Sequence, residues 1–423
     1  MSAGRAWSER FRSGGAVLLA WLITRTLMLV VLALAESIIV GDVSYYHRKI
    51  AGIFNVGLGS TLNEYPTPVV WILSLPHLIA AGSDAGYLII FVSLMMALDA
   101  AFTWVLWGLA GRRRDAAVSF WLIFVFLIGP LCYLRFDMLP AVLAGGALLA
   151  ARRRPWITGA LTGLGAAIKL WPALLFPAFL AHRPDRKAVT LGFVAVGFGL
   201  ALLSLIFGGW SRLISPLTWQ SDRGLQIESI WATPLMLGRV LRPTEWTVDM
   251  STFNAFEVFG PGVSQLLTLS NLATLAGLGM IIALYVRALR NPQPSAVAVG
   301  MVVLATVAIM TVTNKTLSPQ YLLWLGGPMA ALLILQSGAA DRERLLLRRL
   351  VIALFVLAGL THLVYPLLYN GLLGRHGPSM IILSTLVTAV RNLGLVVLTI
   401  EIWRLSWRFL NPTRERVTDS VAA

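Results

Sequence analysis

Long apolar runs separated by short arginine-rich segments dominate this sequence, in which 57% of residues are hydrophobic and only 13% are charged. In lipid every backbone polar group needs a partner within the protein, so apolar runs of this length fold as spanning helices. The sequence therefore predicts an all-α polytopic membrane protein that forms one domain over residues 1–423. About twelve spans are predicted, at 15–39, 87–110, 116–133, 139–151, 156–168, 170–181, 188–208, 263–288, 296–313, 321–336, 350–369 and 380–402.

The distribution of basic residues orients the predicted bundle. Lysine and arginine number 34 against 19 acids, and their clusters, such as 112–114 and 152–154, occupy short loops on one side. Short Lys/Arg-rich loops stay cytoplasmic, so the positive excess reports topology, and nucleic acid is not an expected partner. We expect a bacterial plasma-membrane protein whose loops 41–86 and 209–262 form the active-site surface on the outer, periplasmic face. The tail 403–423 is then cytoplasmic.

The first outer loop contains an apolar stretch that is too short to span. Residues 66–80 include three prolines, and a spanning helix needs about 20 residues. We therefore expect interfacial helices in this loop.

The chain has a single cysteine, Cys132. This excludes an intramolecular disulfide and a cysteine-cluster metal site.

A lysine interrupts the apolar stretch 156–181, at Lys169. Basic clusters flank the stretch, 152–154 before it and 183–187 after it, so the chain must enter the membrane and return between them. The pattern predicts two short helices with Lys169 at the outer turn. An ammonium there is expected to face a cavity or bind an anion; the alternative is a side chain that reaches the interface along its apolar stem.

An aspartate follows the first predicted span. Asp42 lies beside Tyr45, Tyr46 and His47, which are candidate sugar or acceptor ligands. A carboxylate at this level suits a general base that acts on a lipid-borne hydroxyl. The alternative is that Asp42 caps the helix that follows it.

Two further cations lie at the predicted outer boundary, Arg223 and Lys315. Arginine presents a planar fork that suits phosphate, and together with Lys169 these residues would surround a diester phosphate whose charge grows as a glycosidic bond breaks. A solvated loop would carry such residues too. Candidate partners for sugar hydroxyls are Glu64, Tyr65, Gln226, Glu228 and Gln320.

Charged residues inside the predicted spans have an ordinary explanation. Arg25, Asp99 and Arg391 are expected to form buried pairs between helices, and Arg135 and Asp137, at one outer turn, are expected to pair with each other. A lipid or sugar-lipid flippase is an alternative function that would depend on such in-span charges.

Five short motifs follow one another along the chain. They are Asp42 after the first span, Tyr65-Pro66, Lys169-Leu-Trp-Pro172, Arg223-Gly-Leu-Gln-Ile-Glu-Ser229 and Ser318-Pro-Gln-Tyr-Leu-Leu-Trp324. In order and sidedness they resemble the actinobacterial GT-C glycosyltransferases of family 87. These enzymes are polyprenyl-phosphate-sugar mannosyl- and arabinofuranosyltransferases of cell-envelope glycolipid synthesis. The resemblance covers roughly residues 20–400.

The resemblance implies a GT-C-like fold and sugar transfer from a polyprenyl-phosphate donor to a lipid-linked glycan at the outer face. It implies Asp42 as the catalytic base and basic residues near that face as ligands of the lipid phosphate. Mannose is favoured, and arabinofuranose is the alternative. Other GT-C branches carry Asp-x-Asp where this loop has the single acid Asp42, so neither a divalent metal nor another cofactor is expected. We expect a monomer whose other partners are membrane lipids.

Overall fold

The structure, a computed structural model, describes residues 13–35, 37–109, 114–336 and 341–411, and most of these residues are helical. The main helices are α1 (Gly14–Ala35), α2 (Gly41–Ala51), α3 (Thr67–Ile79), α4 (Asp84–Leu109), α5 (Arg114–Ile128), α6 (Met138–Ala150), α7 (Pro155–Ile168), α8 (Arg186–Phe193), α9 (Gly199–Asp222), α10 (Thr233–Leu241), α11 (Val263–Arg290), α12 (Ala296–Thr313), α13 (Leu323–Leu335), α14 (Asp341–His362) and α15 (Pro378–Phe409). An antiparallel hairpin of β1 (Thr247–Met250) and β2 (Phe256–Phe259) precedes α11.

Within the described ranges, seven helical segments are long and apolar enough to cross a membrane. Shorter apolar helices of 10–17 residues accompany them, and the 14 residues of α7 reach about 21 Å of the roughly 30 Å hydrocarbon core. The all-α polytopic membrane class is thereby confirmed. Of the twelve predicted spans, seven have full spanning length and four correspond to shorter apolar helices.

The helix α12 forms the centre of the bundle. Of its apolar window 78% is buried, against 17% in α1, and a helix that is apolar all round is stable only inside protein or lipid. Its neighbour α13 packs closely on α6, where a Cβ added to Gly145 would lie 2.7 Å from the carbonyl oxygen of Gly327. Small residues permit such backbone approach in membrane bundles. The connection between α12 and α13 forms part of the wall of the pocket described below.

The prediction of a second short helix at 170–181 is wrong. This segment forms a 3₁₀ turn at Trp171–Leu175 and a four-residue helix at Phe176–Phe179. Pro172 and Pro177 each lack a backbone N–H and restrict φ, which explains why no continuous α-helix forms.

The chain nevertheless reverses direction after Lys169. His182 and Asp185 line one cavity with Arg152, next to the start of α7. Lys169 follows the other end of α7 and lines a different cavity. The turn that the sequence predicted at Lys169 is therefore present, although a 3₁₀ turn and one short helical turn make the return in place of a second apolar helix.

A buried carboxylate, that of Asp99, joins three helices. Asp99 in α4 pairs with Arg25 in α1 at 2.8 Å and accepts hydrogen bonds of 2.7 Å from Trp21, Trp121 and Tyr133. The expectation that Arg25 and Asp99 take part in buried pairs between helices is confirmed, and the structure shows that they pair with each other. Removal of one partner of such a buried pair typically costs about 3–5 kcal/mol, so this cluster is a strong link between α1, α4 and α5.

The second predicted loop, 209–262, contains strands that the sequence did not predict. The helix α9 continues past a break at Gly209, where φ is 74°. The hairpin then pairs with the segment after α9, since Ile227 N–H donates to Phe256 at 3.1 Å and Val258 N–H donates to Leu225 at 3.0 Å. This small sheet fixes residues that the sequence assigned to a polar loop.

The last helix is longer than the predicted span 380–402, since α15 continues to Phe409. The cytoplasmic location of the tail 403–423 stays a prediction. Residues 412–423 lie outside the described part of the chain.

Candidate active site

A pocket of about 450 Å³ lies at the end of the bundle where α7 and α12 finish. Its walls come from α2, the segment before α3, the turn after α7, the C-terminal part of α9 and the connection between α12 and α13. Eight of the twelve site residues proposed from sequence line it: Asp42, Tyr45, Tyr46, Glu64, Tyr65, Lys169, Arg223 and Gln320. The fold thus gathers residues that are separated by up to 278 positions in the chain, from 42 to 320.

The carboxylate of Asp42 faces this pocket and is about one-third exposed. Asp42 lies in the first turn of α2, whose N-cap is Val40, so the residue does not occupy the capping position. Its Oδ2 pairs at 2.5 Å with Nη2 of Arg135, whose own side chain is buried. A carboxylate held by an arginine in this way has a fixed direction and still presents surface to a ligand.

Lys169 lines the pocket, and its cation has a partner within the protein. Its ammonium is bonded to the buried carboxylate of Asp137, and Nζ lies 5.1, 5.2 and 4.8 Å from the ring centres of Phe136, Tyr321 and Trp324. Cations over aromatic faces are stabilised by the ring quadrupole. The positive charge is therefore compensated within the protein, and only 16% of the Lys169 side chain is exposed.

The two ion pairs come from one turn between α5 and α6. The sequence predicted that Arg135 and Asp137 pair with each other, and this prediction is wrong, because Arg135 contacts Asp42 and Asp137 contacts Lys169. Arg135 and Asp137 are only two positions apart, yet their side chains pair with two residues on different walls of the pocket. Nothing in the sequence indicated that Arg135 would pair with Asp42 and Asp137 with Lys169.

Arg223 is the pocket-lining arginine. It follows the last residue of α9, and its buried Nε has no hydrogen-bond partner among the described residues. Lys315 lies nearby but does not line the pocket. Its Nζ donates to the carbonyl oxygen of Ser221 at 2.7 Å, and burial lowers its pKa while Glu257 opposes that shift. Arg223 is therefore better placed than Lys315 to meet an anion in the cavity.

One wall carries a tyrosine–glutamate pair. The hydroxyl of Tyr45 donates to Glu64 Oε1 at 2.9 Å, and both residues line the pocket. Burial raises the pKa of Glu64, because removal from water disfavours the charged form, and the Tyr45 hydrogen bond works against that shift. This wall offers hydrogen-bonding atoms of the kind that bind hydroxyl groups.

Besides Lys315, three proposed site residues do not line the pocket. His47 is bonded to Asp84 at 2.6 Å and to His77 at 3.0 Å. Gln226 uses its Oε1 to accept from the backbone N–H of Leu317 at 3.0 Å.

Glu228, the third of these residues, is buried beside Arg391 at 3.4 Å. Burial raises the pKa of Glu228 to about 7, against the opposing effect of the Arg391 guanidinium. Arg391 forms the buried pair that was expected, but its partner is a residue between α9 and α10 rather than one within another span. The contacts of Gln226 and Glu228 therefore hold the polar segment 223–229 in place.

An aromatic wall closes the pocket beside Lys169, and the sequence reasoning missed it. Trp171 stacks on Trp324 with ring centres 5.1 Å apart, and Tyr321 stacks on Trp324 at 4.0 Å. All three rings line the pocket. Two of the motifs quoted above, around Lys169 and around Gln320, contain these residues, so the signal was present but was not read as a site.

Across the described ranges, no group of three or more His, Cys, Asp or Glu side chains is arranged to hold a metal ion. The prediction that no metal takes part stays a prediction.

The fold and the pocket together define a helical membrane protein with a polar cavity at one end of its bundle, furnished with a carboxylate, an arginine and a wall of stacked aromatic rings. A sequence model of glycosyltransferase family 87 matches residues 63–307, and the chain belongs to that family. It is a membrane glycosyltransferase. No curated protein and no solved structure matched the chain. The matched region includes Glu64, Lys169 and Arg223, whereas Asp42 and Gln320 lie outside it.

Proposed function

We propose that this protein transfers a sugar, with mannose favoured, from a polyprenyl-phosphate donor to a lipid-linked glycan in cell-envelope glycolipid synthesis. The observation that carries the proposal is the composition of one pocket at the end of a membrane bundle. It combines the partly exposed carboxylate of Asp42 with Arg223, an arginine whose Nε has no hydrogen-bond partner among the described residues. An acceptor hydroxyl needs the first group, and a lipid phosphate needs the second.

In the proposed reaction, Asp42 accepts the proton of the acceptor hydroxyl as its oxygen attacks the anomeric carbon of the donor. The bond between that carbon and the phosphate oxygen breaks, and its electron pair leaves with the polyprenyl phosphate. The growing negative charge is stabilised by preorganised cations. Arg223 is the first candidate for that role and Lys315 the second. Lys169 contributes less, because Asp137 already compensates its charge.

The buried charges favour a transferase over a flippase. Arg25 is paired with Asp99, and Arg391 is paired with Glu228. None of these four lines the pocket, so among the described residues they make no polar path that leads from it across the bundle. The polar side chains of the pocket gather around Asp42 at one end of the bundle, and the charged residues Arg152 and Asp185 line a separate cavity at the other end.

We propose that the pocket opens on the outer face, because the basic residue Arg153 and its neighbours lie at the opposite end of α7. The test uses Asn55→Cys and Arg153→Cys, which each introduce one cysteine at an exposed position. The native Cys132 is kept, because it is buried. A membrane-impermeant maleimide added to intact cells is expected to label position 55 and to spare position 153. Labelling of both positions, or of 153 alone, contradicts the proposed orientation.

The test of the activity uses the purified full chain in proteoliposomes with a glycolipid extract as acceptor. Transfer of radiolabelled mannose is expected from polyprenyl-phosphate mannose and not from GDP-mannose. A parallel reaction with polyprenyl-phosphate arabinofuranose identifies the alternative donor. Transfer from the nucleotide sugar, with both lipid donors inert, contradicts the proposed donor class.

A further inference from the structure

The stacked rings beside Lys169 are held rigidly in place. Trp324 donates its indole N–H to Asp137 Oδ1 at 2.7 Å, and the Lys169 ammonium lies over the faces of Trp324 and Tyr321. Trp171 stacks on the same indole, with 28° between the ring planes. The wall therefore has a fixed orientation before any ligand arrives.

One polar atom of this wall has no partner. The Trp171 side chain is buried, with 8% of the residue exposed, and its Nε1 has no hydrogen-bond partner among the described residues. Trp171 also lines the pocket. A buried N–H without an acceptor is costly, so a ligand that offers an oxygen at this position gains an interaction that the protein alone does not supply.

The chemistry of the wall selects among ligands. An isoprenoid chain would cover the rings but would leave the Trp171 N–H unsatisfied. A phosphate is better matched to Arg223, which carries charge. A sugar ring has an apolar C–H face, which packs on aromatic surface, and hydroxyl oxygens, which accept from an indole N–H.

Polar side chains continue the wall on either side of the rings. Gln320 and Asn314 line the pocket, and so does Gln220, whose Nε2 donates to Asn314 Oδ1 at 3.3 Å and to Thr316 Oγ1 at 3.0 Å. Amide groups both donate and accept, which suits several hydroxyls on one ligand.

We propose that Trp171, Trp324 and Tyr321 form a subsite for a glycosyl ring, with the Trp171 indole N–H as donor to one of its oxygens. This inference rests on the proposed function, because it assigns a place within the same pocket to the sugar of a lipid-linked substrate. It adds a specificity-determining residue that acts on the sugar and leaves the lipid phosphate to other groups.

The test compares wild type and Trp171→Phe in nanodiscs for binding of polyprenyl-phosphate mannose and of bare polyprenyl phosphate. Phenylalanine keeps an aromatic face but removes the N–H, so affinity for the glycosylated lipid is expected to fall about tenfold, with affinity for the bare lipid unchanged. The matched control is Trp403→Phe, which removes another buried indole N–H without a partner, in α15 and outside the pocket lining. The control is expected to bind both lipids as wild type does, and thermal unfolding checks that both variants are folded.

The outcomes separate this inference from the proposed function. Equal loss for both lipids shows that Trp171 contacts the isoprenoid and overturns the inference. Unchanged binding of both lipids, together with an unchanged KM for the glycan acceptor, also overturns it. If donor binding is unchanged but KM for the glycan acceptor rises about tenfold, the subsite holds the acceptor's ring, and the inference stands. A wild-type protein that binds neither lipid overturns the proposed function and the inference with it.

Discussion

Asp42→Asn is expected to lower the rate of sugar transfer by about 100-fold or more, with the protein still folded in membranes. The substitution keeps the shape of the side chain but removes the carboxylate that accepts the proton of the acceptor hydroxyl. The measurement is turnover of the purified variant at saturating donor and acceptor. Binding of the donor lipid is expected to change little, because the base acts on the acceptor.

The matched control for this prediction is Asp249→Asn, at an exposed position in β1 that is outside the pocket lining. It is expected to turn over at the wild-type rate. If the Asp42→Asn enzyme also keeps a near-wild-type rate, Asp42 is not the base, and its pairing with Arg135 is then only a structural contact.

Lys169→Met is expected to lower the free energy of unfolding by about 3–5 kcal/mol. The variant leaves the Asp137 carboxylate, which is 2% exposed, without its cation, while methionine retains most of the apolar stem. Unfolding in mixed micelles measures the loss. The double variant Lys169→Met/Asp137→Asn is expected to recover part of it, because the uncompensated charge is gone.

Arg223→Gln provides the comparison that separates stability from binding of the lipid phosphate. This variant is expected to weaken the binding of bare polyprenyl phosphate without a comparable loss of stability, because Arg223 forms no ion pair among the described residues and faces the pocket. The opposite pattern, with phosphate affinity lost in a stable Lys169→Met protein and retained in Arg223→Gln, returns the phosphate role to Lys169.

The sequence predicted the fold class and most of the proposed residues that line the pocket. It predicted few of the contacts that these residues make with one another. Apolar length and loop charge identify spans because the bilayer imposes one thickness and one charge asymmetry. The turn at Lys169 was found in this way. The position of Arg25 and Asp99 inside spans also indicated buried pairs, although it did not identify the partner of each. The failure at 170–181 came from treating hydropathy as sufficient for a helix, although Pro172 and Pro177 argued against one.

The contacts within the site depend on the directions in which side chains point, and a sequence does not contain this information. Arg135 and Asp137 are near neighbours of opposite charge, and only the path of their turn shows that each is used elsewhere. The aromatic wall was missed for a different reason. The chain has 15 tryptophans, and in a membrane protein most of them are expected at interfaces, so residue type alone did not distinguish Trp171 from the rest.

The turn at 134–137 also works as a spacer of fixed length. Arg135 forms an ion pair with Asp42, the proposed base, and Asp137 forms one with Lys169, next to the aromatic wall. Phe136 lies between them in the chain and packs against Tyr46 and Tyr65. These two ion pairs at the two halves of the pocket are therefore separated by one residue of backbone. An insertion or deletion here would shift both halves at once, so this connection should resist changes in length that surface loops ordinarily accept.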